Sequence, residues 1–122
     1  MACFYMIWLL VPDPIADERV NFGVTVFDDY RIRSQFVIDW SRVEMFAGES
    51  VDYAKYYAEN VIKANMRGLL IPSDKPRLVP IKKNAIEISG KLHNSIQLSR
   101  PRGSIGSLED VLKSTVKQFL KS

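Results

Sequence analysis

The chain has 122 residues, of which 47% are apolar and 25% are charged. This length fits one domain with one core, and the apolar content excludes a globally disordered chain. Cys3 is the only cysteine, which excludes an intrachain disulfide and a zinc site built from several cysteines of one chain. A reducing, cytoplasmic setting is therefore expected. The apolar opening segment meets Pro12 after about ten residues, too few to cross a membrane as a helix, so we interpret it as a buried strand.

The net charge of +3 hides an uneven distribution. Residues 1–62 carry five Lys/Arg and ten Asp/Glu, whereas residues 63–122 carry twelve Lys/Arg and four Asp/Glu. A basic half of this kind attracts nucleic acid, phosphate groups or an acidic protein surface. Neutralisation of one half by the other within the fold is the alternative.

The first third of the chain is predicted to form a three-stranded antiparallel meander. Residues 3–11 are apolar at nearly every position, as in a strand covered on both faces. A third strand is predicted over residues 32–38, after a turn too short for a parallel crossover. Between them, a second strand over about 19–28 alternates. Its predicted faces are Val20, Phe22, Val24 and Val26 on one side and Asn21, Gly23 and Thr25 on the other.

Two residues that strands disfavour, Asn21 and Gly23, lie in this second strand. A glycine there lets another group approach closely, and a covered asparagine amide needs hydrogen-bond partners. We therefore expect another element to close over this face, with its backbone near Gly23.

The middle of the chain is predicted to be helical. A helical turn is expected over residues 40–46, and Ser50 is a good cap for a helix through about Arg67. Apolar residues three and four apart predict a helix over about 80–92. A strand containing Ile86 and Ile88 is the competing interpretation.

The end of the chain is predicted to form a short strand and a helix. Residues 95–99 alternate as a strand does. The final helix carries the clearest pattern, with Ser107 as its cap and a continuous apolar stripe from Leu108 to Leu120.

These elements predict an α+β fold in a single domain over residues 1–122. It is strand-rich over 1–40 and helical over 50–121, with a short strand near 95–99. We expect an antiparallel meander sheet of three or four strands, with about three helices packed mainly on one face. An edge strand or the last helix could pair with a second copy, which makes a homo-oligomer a further expectation.

Two stretches resemble the uncharacterised bacterial proteins of domain-of-unknown-function family 3037. They are VPDPIADERVNFGVTVFDD at residues 11–29 and LHNSIQLSRPRG at residues 92–103. Members typically carry a Glu-x-x-Asn-x-Gly-Val strand and a later Asn-Ser-Ile-Gln-Leu-like segment before a final amphipathic helix. The resemblance spans nearly the whole chain, and the residues it marks are Glu18, Asn21, Gly23, Val24, Asn94, Ser95, Ile96, Gln97, Pro101 and Arg102.

The resemblance implies no catalytic activity. Some members of the family resemble companions of kinase-like proteins of the toxin type that are encoded beside them. The resemblance therefore implies a protein partner, in a toxin–antitoxin or defence setting.

Five of the candidate residues form the first predicted site, which we interpret as a packing seam. The strand at 95–99 would lock onto the meander there, with the side chain of Asn21 bonded to the Asn94-to-Gln97 segment. A ligand site is the alternative. The seam residues are Glu18, Asn21, Gly23, Asn94 and Gln97.

The second candidate site binds anions. In the segment SRPRGSIGSLED, Arg100 and Arg102 precede Gly103, Gly106 and Ser107, where the last helix begins. Backbone N–H groups at a helix start and two guanidinium groups attract an anion. A flexible turn followed by an ordinary helix cap is the alternative.

The sequence shows no recognisable catalytic constellation. His93 is the only histidine, and Cys3 lies in a strand predicted to be buried. The carboxylates match no nuclease signature, and the sequence predicts no catalytic residue, metal or cofactor.

The preferred function is a non-catalytic interaction or accessory protein, which binds another protein through its basic half or an exposed strand edge. A binder of nucleic acid or nucleotide phosphate that uses Arg100, Arg102, Lys82 and Lys83 is the first alternative. A small metal-dependent hydrolase that depends on Glu18 is the second.

Overall fold

The computed structural model describes residues 2–11, 19–48, 50–73, 81–91 and 95–120. These residues form five strands and four helices, so the expected α+β class is confirmed, with slightly more elements than predicted. The order is β1 (Ala2–Leu10), β2 (Val20–Phe27), β3 (Ile32–Phe36), α1 (Ser41–Ala47), α2 (Asp52–Met66), α3 (Ile81–Lys91), β4 (Ile96–Leu98), β5 (Arg102–Ile105) and α4 (Leu108–Phe119).

The sheet is antiparallel, and its centre is the predicted meander of β1, β2 and β3. The other side of β1 is shared by two short strands. β4 pairs with residues 8–10 and β5 with residues 2–5. Strand β5 is not predicted from the sequence, because its residues, RGSI, carry no apolar alternation and resemble an anion-binding turn.

Side chains of β1 alternate between two apolar cores. Met6, Trp8 and Leu10 point to the side that we call the front face, where α1, α2 and α3 pack. Cys3 and Ile7 point to the back face, which α4 covers. Three of the four described helices therefore lie on one face, in agreement with the predicted arrangement. Burial on both faces explains why β1 is apolar almost throughout.

A β-bulge in β2 reverses the predicted alternation. The pairing of β2 with β1 skips Phe22, which is the extra residue. Phe22 packs in the front core, whereas Val24 and Val26 pack in the back core. Val20 packs against the front core together with Phe22, as predicted. The prediction that Val24 and Val26 share this face is wrong, because an inserted residue moves every following side chain to the other face.

Gly23 lies opposite Phe36 of the neighbouring strand. A Cβ atom at position 23 would collide with ring carbons of Phe36. The predicted close approach is therefore present, but the group that approaches is an aromatic side chain of β3. The expectation that the backbone of another element lies close to Gly23 is therefore wrong.

Helices α4 and α2 differ in the side chain that accepts a hydrogen bond from the N–H groups of their first turn. Ser107 caps α4 as predicted, since its hydroxyl accepts a hydrogen bond from the N–H of Asp110 at 3.2 Å. At α2 the cap position is Val51, and the hydroxyl of Ser50 accepts a longer bond, of 3.4 Å, from the N–H of Asp52.

The segment that forms α3 had two alternative predictions, a helix and a strand. Residues 81–91 are helical, so the strand at Ile86 and Ile88 is wrong. Among the helices of the described residues, none has the length and apolarity that crossing a bilayer requires.

Candidate functional site

Strand β3 forms one edge of the sheet, and no described strand pairs with its outer side. The N–H of Val37 donates to the carbonyl of Phe22 at 3.0 Å. Because bonding alternates along an antiparallel strand, every second residue before Val37 faces β2 and the residues between them face outward. The outward main-chain groups belong to Ile32, Ser34 and Phe36.

The opposite edge of the sheet is interrupted. It consists of β4 and β5, which have three and four residues and are separated by a segment that contains Pro101. Short, broken edges with proline discourage the addition of another strand. Of the two edges, β3 is therefore the better template for pairing.

Exposed apolar side chains lie around β3. Tyr30 and Ile38 lie two residues before and two residues after the strand, and they are 80% and 88% exposed. On α2, Ile62 and Met66 are 42% and 82% exposed. Single exposed apolar residues are normal, but Ile62 and Met66 border one groove with β3, and neighbouring exposed apolar residues are typical of an interaction surface.

A groove of about 410 Å³ lies between β3 and the C-terminal half of α2. Its lining residues are Ile32, Arg33, Ser34, Ile62, Asn65 and Met66. A strand added beside β3 would direct alternate side chains towards α2, since successive side chains of a strand point to opposite faces. We call the outer side of β3, together with Ile62 and Met66, the edge groove.

One outward carbonyl of the edge is already bonded. The guanidinium group of Arg33 donates to the carbonyl of Ile32 at 2.9 Å. Charged side chains along an edge strand discourage unspecific pairing with other chains. A segment that adds to β3 along its full length must displace this bond.

A chain of hydrogen bonds lies beneath the edge groove. Nε1 of Trp8 donates to Oγ1 of Thr25 at 2.8 Å, and the hydroxyl oxygens of Thr25 and Ser34 are 2.6 Å apart. Oγ of Ser34 donates to Oδ1 of Asn65 at 2.5 Å. Nδ2 of Asn65 then donates to the carbonyl of Leu69 at 2.8 Å. The chain connects β1, β2, β3 and α2.

The direction of this chain is fixed by its ends. An amide oxygen can only accept, so the hydroxyl of Ser34 donates to Asn65. The hydroxyl of Thr25 must therefore donate to Ser34, and its oxygen accepts the indole N–H of Trp8. Each group donates to the next, which holds two lining residues of the groove, Ser34 and Asn65, in one orientation.

The sequence does not predict this hydrogen-bond chain, because most of its members are far apart along the polypeptide. Successive members are separated by 17, 9 and 31 residues. One bond of the chain could be predicted from a hairpin alignment, since Thr25 and Ser34 lie directly opposite each other in the β2–β3 hairpin. Hydroxyl pairs at such positions commonly bond across strands.

The predicted seam is present in a different form. Asn21 and Gln97 both lie opposite Leu9, on its two sides, so the late strand joins the meander at β1. Nδ2 of Asn21 donates to the carbonyl of Phe119 at 3.3 Å. The amide of Asn21 therefore has a partner at the end of α4, and its expected bond to the strand at 95–99, on the other side of β1, stays a prediction. Glu18 and Asn94 lie outside the described residues.

The predicted anion-binding residues lie in and around β5. Arg102 and Gly103 belong to the strand, and Gly106, with φ of 137°, connects it to Ser107. Arg100 is exposed in the segment between β4 and β5. At the start of α4, the hydroxyl of Ser107 already occupies an N–H group, and two acidic residues lie in the first turn. The anion-binding role stays a prediction.

Two basic residues of the nucleic-acid alternative lie on opposite faces of the sheet. Nζ of Lys82 lies 4.7 Å from the ring centroid of Phe4, which packs against the front core. Arg102 lies opposite Tyr5 and borders a hollow on the back face beside Phe119. The two charges therefore do not lie on one surface, and the nucleic-acid function stays a prediction.

The described residues offer little for metal or cysteine chemistry. Within them, no group of three His, Cys, Asp or Glu residues could hold a metal ion. The thiol of Cys3 is buried and donates to the carbonyl of Gly106 at 3.3 Å, which connects β1 to the start of α4. His93 lies outside the described residues.

Comparisons with known proteins returned no match, whether with protein-family models, curated proteins or solved structures. The class of site is therefore defined by geometry: an open strand edge beside an apolar groove, in an α+β domain.

Proposed function

We propose that this protein is a non-catalytic interaction protein that binds an extended segment of a partner protein along the edge groove. The observation that supports this function is the edge of β3, with which no described strand pairs on the outer side, beside the exposed side chains of Ile62 and Met66. Strand addition supplies main-chain hydrogen bonds, and a neighbouring groove selects side chains.

The edge groove defines the chemistry of the segment that it would accept. Alternate positions must be apolar to contact Ile62 and Met66. An acidic residue near Arg33 would pair with the guanidinium group once that group leaves the carbonyl of Ile32. The preferred segment is therefore extended, alternately apolar and acidic.

The identity of the partner rests on the family resemblance alone. On the basis of this resemblance, we propose that the partner is a kinase-like protein encoded nearby, in a toxin–antitoxin or defence setting. The single buried cysteine is in keeping with a reducing, cytoplasmic setting.

The test compares two exposed methionines. Met66 in the edge groove is 82% exposed, and Met45 on α1 is 84% exposed. The wild-type protein, Met66→Glu and Met45→Glu are each used to capture partners from the native cell, and the bound proteins are identified by mass. We expect one stoichiometric partner with the wild-type protein and with Met45→Glu, and its loss with Met66→Glu.

Hydrogen exchange of the purified complex supplies the second readout. The outward amides of Ile32, Ser34 and Phe36 should exchange more slowly with the partner bound. A partner that Met66→Glu retains would contradict the proposal. Self-association that Met66→Glu abolishes, without any other protein, would replace the partner protein by a second copy of this chain.

A further inference from the structure

The guanidinium group of Arg33 covers part of the strand edge on which the proposed function depends. Nη1 of Arg33 donates to the carbonyl of Ile32 at 2.9 Å, and this carbonyl points away from β2. The side chain of Arg33 is exposed and follows Ile32 directly in the strand. The bond therefore closes within β3 and occupies an acceptor that an added strand needs. We call this bond the edge cap.

The edge cap interferes with pairing between two copies of this chain. The outer side of β3, with which no described strand pairs, is a template for the same edge of a second copy. In the antiparallel register that uses all five residues of β3, Ser34 lies opposite Ser34 of the second copy, and Ile32 lies opposite Phe36. The carbonyl of Ile32 must then accept from the N–H of Phe36. Because this arrangement is symmetric, the edge cap removes one such acceptor from each copy.

A second copy cannot supply the group that would open the edge cap. In the same register, Arg33 faces Gln35 of the second copy, and β3, with the sequence IRSQF, contains no carboxylate. A carboxylate forms a charge-assisted bond with a guanidinium group, which is about twice as strong as the bond to a neutral amide. An acidic segment can therefore draw Arg33 away from the carbonyl of Ile32, whereas β3 of a second copy cannot.

We propose that Arg33 determines the specificity of the edge groove: its edge cap closes β3 to a second copy and opens to a segment that carries a carboxylate. The inference rests on the proposed function in one respect, since both require the edge of β3 to accept an added strand. The test uses the purified protein alone, so that it does not depend on the partner protein.

Self-association is measured by sedimentation velocity over a range of concentrations, together with the ¹⁵N amide signals of Ile32, Ser34 and Phe36. The wild-type protein should show no dependence of these three signals on concentration. Arg33→Ala frees the carbonyl of Ile32 and should pair through the edge at least about tenfold more tightly, because two acceptors are freed in each symmetric dimer and each hydrogen bond strengthens the pairing several-fold.

Gln35→Glu tests the opening of the edge cap by a carboxylate. It places an acidic group opposite Arg33 of the second copy, so it should also promote pairing through the edge, whereas Gln35→Ala should not. In about 1 M salt, where the Debye length is about 3 Å, the dimer of Gln35→Glu should weaken and that of Arg33→Ala should persist.

Arg100→Ala is the control for net charge, since Arg100 is exposed at the opposite side of the sheet and should leave the edge amides unchanged. The proposal is overturned if these amides stay independent of concentration in Arg33→Ala. It is also overturned if the wild-type protein pairs through the edge in about 1 M salt, because charge repulsion, and not the edge cap, would then keep the copies apart. If Arg33→Ala does not fold, the same readout in Gln35→Glu decides.

The outcomes separate this inference from the proposed function. If Arg33→Ala stays unpaired while Met66→Glu loses the partner protein, the edge cap is rejected and the proposed function stands. If Arg33→Ala pairs through the edge while Met66→Glu retains the partner protein, the proposed function is rejected and the edge cap stands.

Discussion

Replacing Thr25 with valine tests whether the hydrogen-bond chain beneath the edge groove stabilises the fold. Valine has nearly the same shape as threonine, so the change removes the hydroxyl and leaves the packing almost unaltered. Both Thr25 and Trp8 are 0% exposed, and water cannot easily take the place of the lost group. The substitution leaves the indole N–H of Trp8 without its acceptor and Ser34 without its donor.

The magnitude follows from these two losses. An unsatisfied buried donor costs about 1–3 kcal/mol, and a lost hydrogen bond costs about 1 kcal/mol more. We therefore expect Thr25→Val to lower the free energy of unfolding by about 2–4 kcal/mol. Domains of this size are stable by roughly 5–15 kcal/mol, so the loss is a large fraction of the total.

Urea unfolding at neutral pH measures this loss. Tryptophan fluorescence reports the environments of Trp8 and Trp40, and circular dichroism reports the helices; the two transitions should coincide. With a urea dependence of about 2 kcal/mol per molar, the midpoint should fall by about 1–2 M, without a change in slope.

Thr115→Val is the matched control. Thr115 is also buried, but its hydroxyl donates only to the carbonyls of Val111 and Leu112 within the same helix. Its removal leaves no N–H without an acceptor, so we expect a loss below about 1 kcal/mol. Equal losses in Thr25→Val and Thr115→Val would refute the role of the chain. Strict additivity of Thr25→Val with Ser34→Ala would refute it as well, since groups in one network couple.

Three further substitutions test the β2 segment. Gly23→Ala should cost about 1–3 kcal/mol in urea unfolding, because its Cβ would meet the ring of Phe36, and the double variant with Phe36→Leu should cost less than the sum of the two single changes. Asn21→Ala should cost about 1 kcal/mol and speed amide exchange near Phe119, whereas unchanged exchange would contradict the role of this bond. Burial alone would raise the pKa of Asp28, but hydrogen bonds from backbone N–H groups of the β2–β3 turn and a nearby guanidinium group outweigh it and lower the pKa below 3.8. Asp28→Asn should therefore destabilise the protein at pH 7. The difference in urea midpoint should begin to shrink near pH 3.8 and disappear once the pH falls through the lower pKa of the folded protein, where the wild-type carboxylate becomes protonated.

The elements that the sequence predicts best are those whose pattern is local. The apolar stripe of α4 and its cap at Ser107 lie within one segment, and both are confirmed. The same holds for the apolar run of β1, which is central and covered on both faces. In each case the spacing of the apolar side chains along the sequence matches the period of the helix or strand that forms.

The elements that the sequence does not predict depend on distant partners. Strand β5 exists because Arg102 to Ile105 pair with the first residues of β1. These four residues do not alternate between apolar and polar, so their own sequence does not predict the pairing. The edge groove needs β3 and α2 side by side, which brings together residues 32–34 and 62–66. Hydrophobic periodicity identifies the two elements but not their contact.

The bulge at Phe22 explains why one short motif serves both cores. Without the extra residue, Asn21, Gly23 and Thr25 would share a face, as the alternation predicts. With it, Asn21 lies on the back face and bonds to α4, while Gly23 and Thr25 lie on the front and contact Phe36 and Trp8. Each of the three residues therefore has a structural partner. The bulge therefore lets one strand contribute to both sides of the sheet, since Asn21 bonds to the last helix and Thr25 belongs to the hydrogen-bond chain beneath the edge groove.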